Sequence, residues 1–104
     1  MKESTRKHLE SKGWKFGTVR EFLNLTAEEE AYIELRLKLA DGLKARRSAK
    51  KMTQVKLAQT LKSSQSRIAK MEAGDPTVSL DLLVKSLLAL GTSNRQIAEI
   101  IAKR

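Results

Sequence analysis

Apolar positions in this chain recur with a helical period, and the polar residues between them supply starts and stops. Thr26 followed three residues later by Glu29 is a capping box, in which each side chain serves the other's backbone N–H; it opens a segment of helical composition to about Ala49. Within it Ile33, Leu35, Leu37 and Leu39 alternate strictly, which is also a strand pattern. Their flanks, TAEEEAY and ADGLKARRSAK, are helix-forming, so a helix is expected throughout. Thr53 can cap a second helix through about Leu61, and Ser63 or Ser64 a third that ends before Gly74, a residue suited to the left-handed C-cap position. Asp75-Pro76 forces a turn. Ser79 opens LDLLVKSLLAL, which Gly91 stops, and Ser93 with Gln96 is another capping box. Upstream, Thr18 and Glu21 cap a short helix. A single proline, few aromatics and many good helix formers argue for an all-α chain.

The stretch TQVKLAQTLKSSQSRIAKMEAG, residues 53–74, holds its only acid at Glu72. On its first helix Leu57, Ala58 and Leu61 fall on one face, with Val55 ambiguous; on its second Ile68 and Met71 face a core while Gln65, Ser66, Ala69 and Lys70 fall elsewhere. Only about two residues are left to join the helices. So short a joint demands a sharp crossing, and the small Ala58 lets the axes approach. This is the helix-turn-helix pattern, whose second helix projects short polar side chains into the major groove. Glutamine can bond an adenine edge with both ends of its amide, and serine can donate to or accept from any base.

Charge strengthens that reading once it is located. The net charge of +9 divides into +4 over residues 1–20, −4 over 21–43, +9 over 44–70 and 0 over 71–104. Lys44, Arg46, Arg47, Lys50, Lys51, Lys56, Lys62, Arg67 and Lys70 thus form a basic block without an acid. Such a block attracts polyanions, above all nucleic-acid phosphates, whereas a merely solvated surface more often mixes both signs. No aromatic lies within it to stack on unpaired bases, which weighs against single-stranded RNA.

The same stretch resembles the helix-turn-helix of the XRE family, the phage repressor and Cro-like domains. Thr53, Gln54, Leu57, Ala58, Leu61, Ser64, Ile68, Glu72 and Gly74 stand in register with its pattern. Lys62 departs from it, because the family usually has a left-handed glycine at the turn. DGLKARRSAKKM is similar to the family's first helix and SLDLLVKSLLALG to its fourth. The resemblance implies a lambda-repressor-like five-helix DNA-binding domain over residues 37–104, preceded by an N-terminal arm and helical extension over 1–36. It implies that Gln54 bonds a phosphate through its amide or the helix N-terminal N–H groups. Ser64, Gln65, Ser66 and Lys70 would face base edges or adjacent phosphates, and Arg67 a phosphate. Arg46, Arg47, Lys50 and Lys51 are candidates to border the DNA backbone. Glu72 would instead hold the domain together by an ion pair with Arg46 or Arg47.

The extension, GTVREFLNLTAEEEAYIELRLKLA, is similar to that of HigA-like antitoxins. Ile33, Leu37 and Ala40 form one apolar stripe, and Tyr32, Leu35, Leu39 and Leu43 a neighbouring one. Trp14, Phe16, Val19, Phe22, Leu23 and Leu25 could cover the second stripe within the chain; a second subunit or a toxin could equally do so. The expected function is sequence-specific binding of double-stranded DNA as a transcription regulator and a homodimer on a two-fold operator. The alternative is an antitoxin that neutralises a partner toxin and represses its own operon. His8 is the only histidine, there is no cysteine, and no glycine-rich phosphate loop occurs, so neither an enzyme, a metal site nor a cofactor is expected. No apolar run approaches the ~18 residues of a membrane span and no apolar leader is present, so a cytoplasmic protein is expected.

Overall fold

The structure, a computed structural model, describes residues 26–103. Among these residues five helices and no strand occur: α1 (Ala27–Ala49), α2 (Gln54–Thr60), α3 (Gln65–Glu72), α4 (Leu80–Ala89) and α5 (Asn94–Ala102). None of them is long and apolar enough to cross a membrane. The short helix expected at Thr18 and the apolar residues from Trp14 to Leu25 lie outside the described residues.

The chain divides into two units between Leu35 and Arg36. In the first, the capping box forms: Thr26 Oγ1 accepts from the Glu29 N–H at 3.1 Å, and the Thr26 N–H donates to Glu29 Oε1 at 3.5 Å. Glu28, Glu29 and Glu30 occupy the first turn, where the positive end of the helix dipole favours them. Tyr32 is exposed and Ile33 and Leu35 are half-buried.

The second unit is built around Leu37, Leu39, Ala40 and Leu43 of α1, Leu57 and Ala58 of α2, Ile68 and Met71 of α3, and Leu83 and Leu87 of α4. The alternation around Leu37 and Leu39 belongs to a helix covered over a broad arc. Leu37 and Ala40 share one line, Arg36, Leu39, Ala40 and Leu43 the next, and all are buried. Each large aliphatic side chain taken wholly out of water here stabilises by roughly 1.5–3 kcal/mol. Helix α5 buries no residue fully, but Gly42 lets it approach α1: a Cβ there would stand 2.8 Å from Ile100 Cδ1. Lys38 Nζ donates to the Ile101 carbonyl at 3.2 Å, serving an orphan acceptor at the end of α5.

Side-chain oxygens cap the starts as expected. Thr53 accepts from the Lys56 N–H, Ser64 from Arg67, Ser79 from Leu82, and Ser93 with Gln96 closes a full capping box. Four helices end alike, with a left-handed residue just past the cap and two reversed N–H bonds. At α3, Gly74 N–H reaches the Met71 carbonyl and Asp75 N–H that of Lys70; at α4, Gly91 and Thr92 reach Leu88 and Leu87. Lysine takes glycine's place at the other two. Lys51, with φ of 57°, ends α1, and Lys62, with φ of 55°, ends α2, where Lys62 N–H reaches Gln59 and Ser63 N–H reaches Ala58. The departure at Lys62 therefore leaves the turn geometry intact, at a strain of roughly 1 kcal/mol for the Cβ.

Candidate nucleic-acid interface

Helices α2 and α3 are joined by Leu61–Ser64, longer by two residues than the spacing predicts, because α2 unwinds at Thr60 into the reversed-bond turn. The buried Leu57, Ala58, Ile68 and Met71 lock the pair together. With Ile68, Met71 and Glu72 turned inward, α3 presents Gln65, Ser66, Arg67 and Lys70 to solvent, and its cap Ser64 is exposed as well. The expected reading residues thus lie together on one short element and its cap.

The inner end of α3 is held by charge. Arg47 Nε donates to Glu72 Oε2 at 2.5 Å and Arg47 Nη2 to Oε1 at 3.0 Å, while Arg47 Nη1 reaches the Met52 carbonyl at 2.7 Å. The Arg47 and Glu72 side chains are 13% and 4% exposed, so the pair works in a low dielectric and little of it is screened. Its hydrogen bond to Glu72 raises the Arg47 pKa above its ordinary value, against a smaller opposing effect of burial. Arg47, not Arg46, is the partner of Glu72, and it is thereby removed from the residues that border a nucleic-acid backbone.

Gln54 belongs to the same network. Its Nε2 donates to Glu72 Oε1 at 3.2 Å, and its Oε1 accepts from Gln65 Nε2 at 3.1 Å. A line of polar contacts therefore runs from buried Arg47 to exposed Gln65. Gln54 is half-buried, and one amide hydrogen stays available for an anion.

Along another side of α3 runs a groove of about 510 Å³ lined by Ser64, Ser66, Arg67, Lys70, Thr77, Val78 and Ser79. Thr77 and Ser79 are absent from the site expected from sequence. Asp75 holds Thr77, accepting from its N–H at 2.8 Å and its hydroxyl at 2.6 Å, and these bonds lower the Asp75 pKa. The Asp-Pro turn was the available signal, since it returns the chain beside α3. Of the basic block, Lys44, Lys50, Lys51, Lys56, Lys62, Arg67 and Lys70 are exposed, whereas Arg46 and Arg47 are half-buried.

Two short helices crossing at a tight turn, with an exposed polar second helix and a cationic surround, define a helix-turn-helix module. Residues 43–93, just under half of the 104, match the sequence model of the family described as Helix-turn-helix. That segment contains α2, α3 and α4 entire, and the match supports a DNA-binding transcription regulator of XRE type. No curated protein and no solved structure matches the chain.

Proposed function

We propose that this chain is a sequence-specific regulator that inserts α3 into the major groove of double-stranded DNA and binds a two-fold operator as a dimer. The observation that carries the reading is the division of α3 between a buried face and an exposed one. Ile68, Met71 and Glu72 fix the helix, and Gln65, Ser66, Arg67 and Lys70 stand clear of the protein. Gln65 and Ser66 read base edges; Arg67 and Lys70 meet base edges or phosphates beside the groove, and Ser64 adds a hydroxyl at the helix start. Gln54 donates its remaining amide hydrogen to a phosphate. A unit this small reads only a few base pairs, so two copies about one helical turn apart, ~34–36 Å, supply the specificity.

Selection of bound sites from a random duplex library tests the proposal. It is expected to return a palindrome with half-sites spaced by about 10 base pairs. Retention without any enriched sequence contradicts it.

An antitoxin role is the second reading. The start of α1 supports it, carrying Glu28, Glu29 and Glu30 with Tyr32 45% exposed, a surface of acidic and aromatic character. Such a chain would repress through α3 and hold a basic toxin through residues 27–35. A toxin-bound complex that survives truncation before Arg36 contradicts this second reading.

A further inference from the structure

The reading of α3 as base reader leaves open which base Gln65 takes, and the inference that follows rests on that reading. We infer that Glu72, acting through Gln54, fixes the direction of the Gln65 amide and thereby makes Gln65 a reader of adenine.

The argument starts at the buried end. A carboxylate is an acceptor only, and Arg47 holds Glu72 in place with two N–H donors at 2.5 and 3.0 Å. The Gln54 amide facing Glu72 Oε1 at 3.2 Å must therefore present its NH₂ group. Reversed, it would set a carbonyl oxygen against a carboxylate oxygen at hydrogen-bond distance. With its NH₂ spent inward, Gln54 turns its carbonyl outward, and Gln65 must answer with its own NH₂ at 3.1 Å. Two amides that are symmetric in shape are thus given one direction by a buried charge 18 residues from the first and linked to the second across 11.

The exposed end of Gln65 is left with its carbonyl oxygen and one N–H. In the major groove adenine offers an acceptor at N7 and a donor at N6, which uses both. Guanine offers acceptors at N7 and O6, so the carbonyl oxygen would face an acceptor unless the amide reversed, and reversal breaks the hydrogen bond with Gln54. Thymine satisfies the N–H through O4 but leaves the carbonyl without a donor. Cytosine satisfies the carbonyl and leaves the N–H. Gln54 and Glu72 are positioning residues in this scheme, acting through Gln65.

The test takes the full chain on duplexes that differ only at the base pair to which Gln65→Ala becomes indifferent. Affinities are measured with A, G, T and C at that place for wild type, Gln54→Ala and Glu72→Gln, with circular dichroism confirming the fold. Gln54 is half-buried, so Gln54→Ala keeps the test alive if Glu72→Gln does not fold. Wild type should favour adenine. Each variant should lower the adenine-to-guanine ratio about three- to tenfold, the worth of one hydrogen bond. Any hold that Gln54 has on a phosphate acts on every duplex alike, so its removal cancels in that ratio. An unchanged ratio in Gln54→Ala, or a wild-type preference for guanine, overturns the inference while α3 remains the base reader. Wild-type binding indifferent to every base overturns the reading of α3 and this inference with it.

Discussion

Replacing Arg47 with methionine removes the charge from the inner end of α3 and keeps most of the side chain's apolar stem. Three hydrogen bonds disappear, two to Glu72 and one to the Met52 carbonyl. Glu72, 4% exposed, is left with a carboxylate that water hardly reaches and only Gln54 as a neutral donor. Breaking one side of a buried pair costs ~3–5 kcal/mol. Because the Arg47 side chain keeps 13% of its exposure, the lower end applies, ~3 kcal/mol. A small domain has only about 5 kcal/mol to lose. With a urea slope near 1 kcal/mol/M, the midpoint followed by circular dichroism should fall by about 3 M, so the variant is largely unfolded in buffer. Adding Glu72→Leu should restore most of the loss, because an apolar pair of similar volume needs no desolvation of charge. A single-variant loss below about 0.5 kcal/mol, or a double variant worse than the single one, would refute the account of this pair.

Gly42→Ala should lower stability by about 1 kcal/mol: ~1–3 kcal/mol of overpacking against Ile100 exceeds the helix-propensity gain of ~1 kcal/mol, and Ile100→Ala should relieve the clash in urea titrations of the double variant. Lys62→Gly should raise stability by about 0.5–1 kcal/mol, since φ of 55° strains a Cβ; a loss of stability would mean that the lysine stem contributes more than the strain costs. Asp75→Ala should destabilise at neutral pH. The Thr77 bonds lower the folded-state pKa of Asp75 below 3.8, so its contribution is present above that unfolded value and disappears as pH falls through the folded one; the two unfolding midpoints should converge in acid. A gap that stays constant down to pH 2 contradicts that assignment.

Much of the second unit is legible in sequence because its boundaries are local chemistry. Thr53, Ser64, Ser79 and Ser93 bond N–H groups three residues away, within reach of any pattern reading. The choice of Arg47 over Arg46 is not local. Adjacent residues point about 100° apart on a helix, and only the packing of α1 on α3 decides which meets Glu72. Arg36 is buried amid apolar neighbours where its charge suggested exposure, and its Nη1 lies 3.5 Å from the Asp75 carbonyl, 39 residues away. The left-handed Lys51 carries no glycine signal at all. Gln54 resembles a surface glutamine in sequence. Its ties to Glu72 and Gln65 exist only once α2 and α3 have crossed.

The central claim is that α3 reads bases, and Gln65→Ala tests it most directly. Wild type and variant are titrated on the selected duplex and on a scrambled one of equal length, at several salt concentrations. The account predicts a loss of roughly 1–3 kcal/mol on the selected site, little change on the scrambled one and an unaltered salt slope, because every phosphate-binding group stays in place. Equal losses on both duplexes, or none on either, would contradict it.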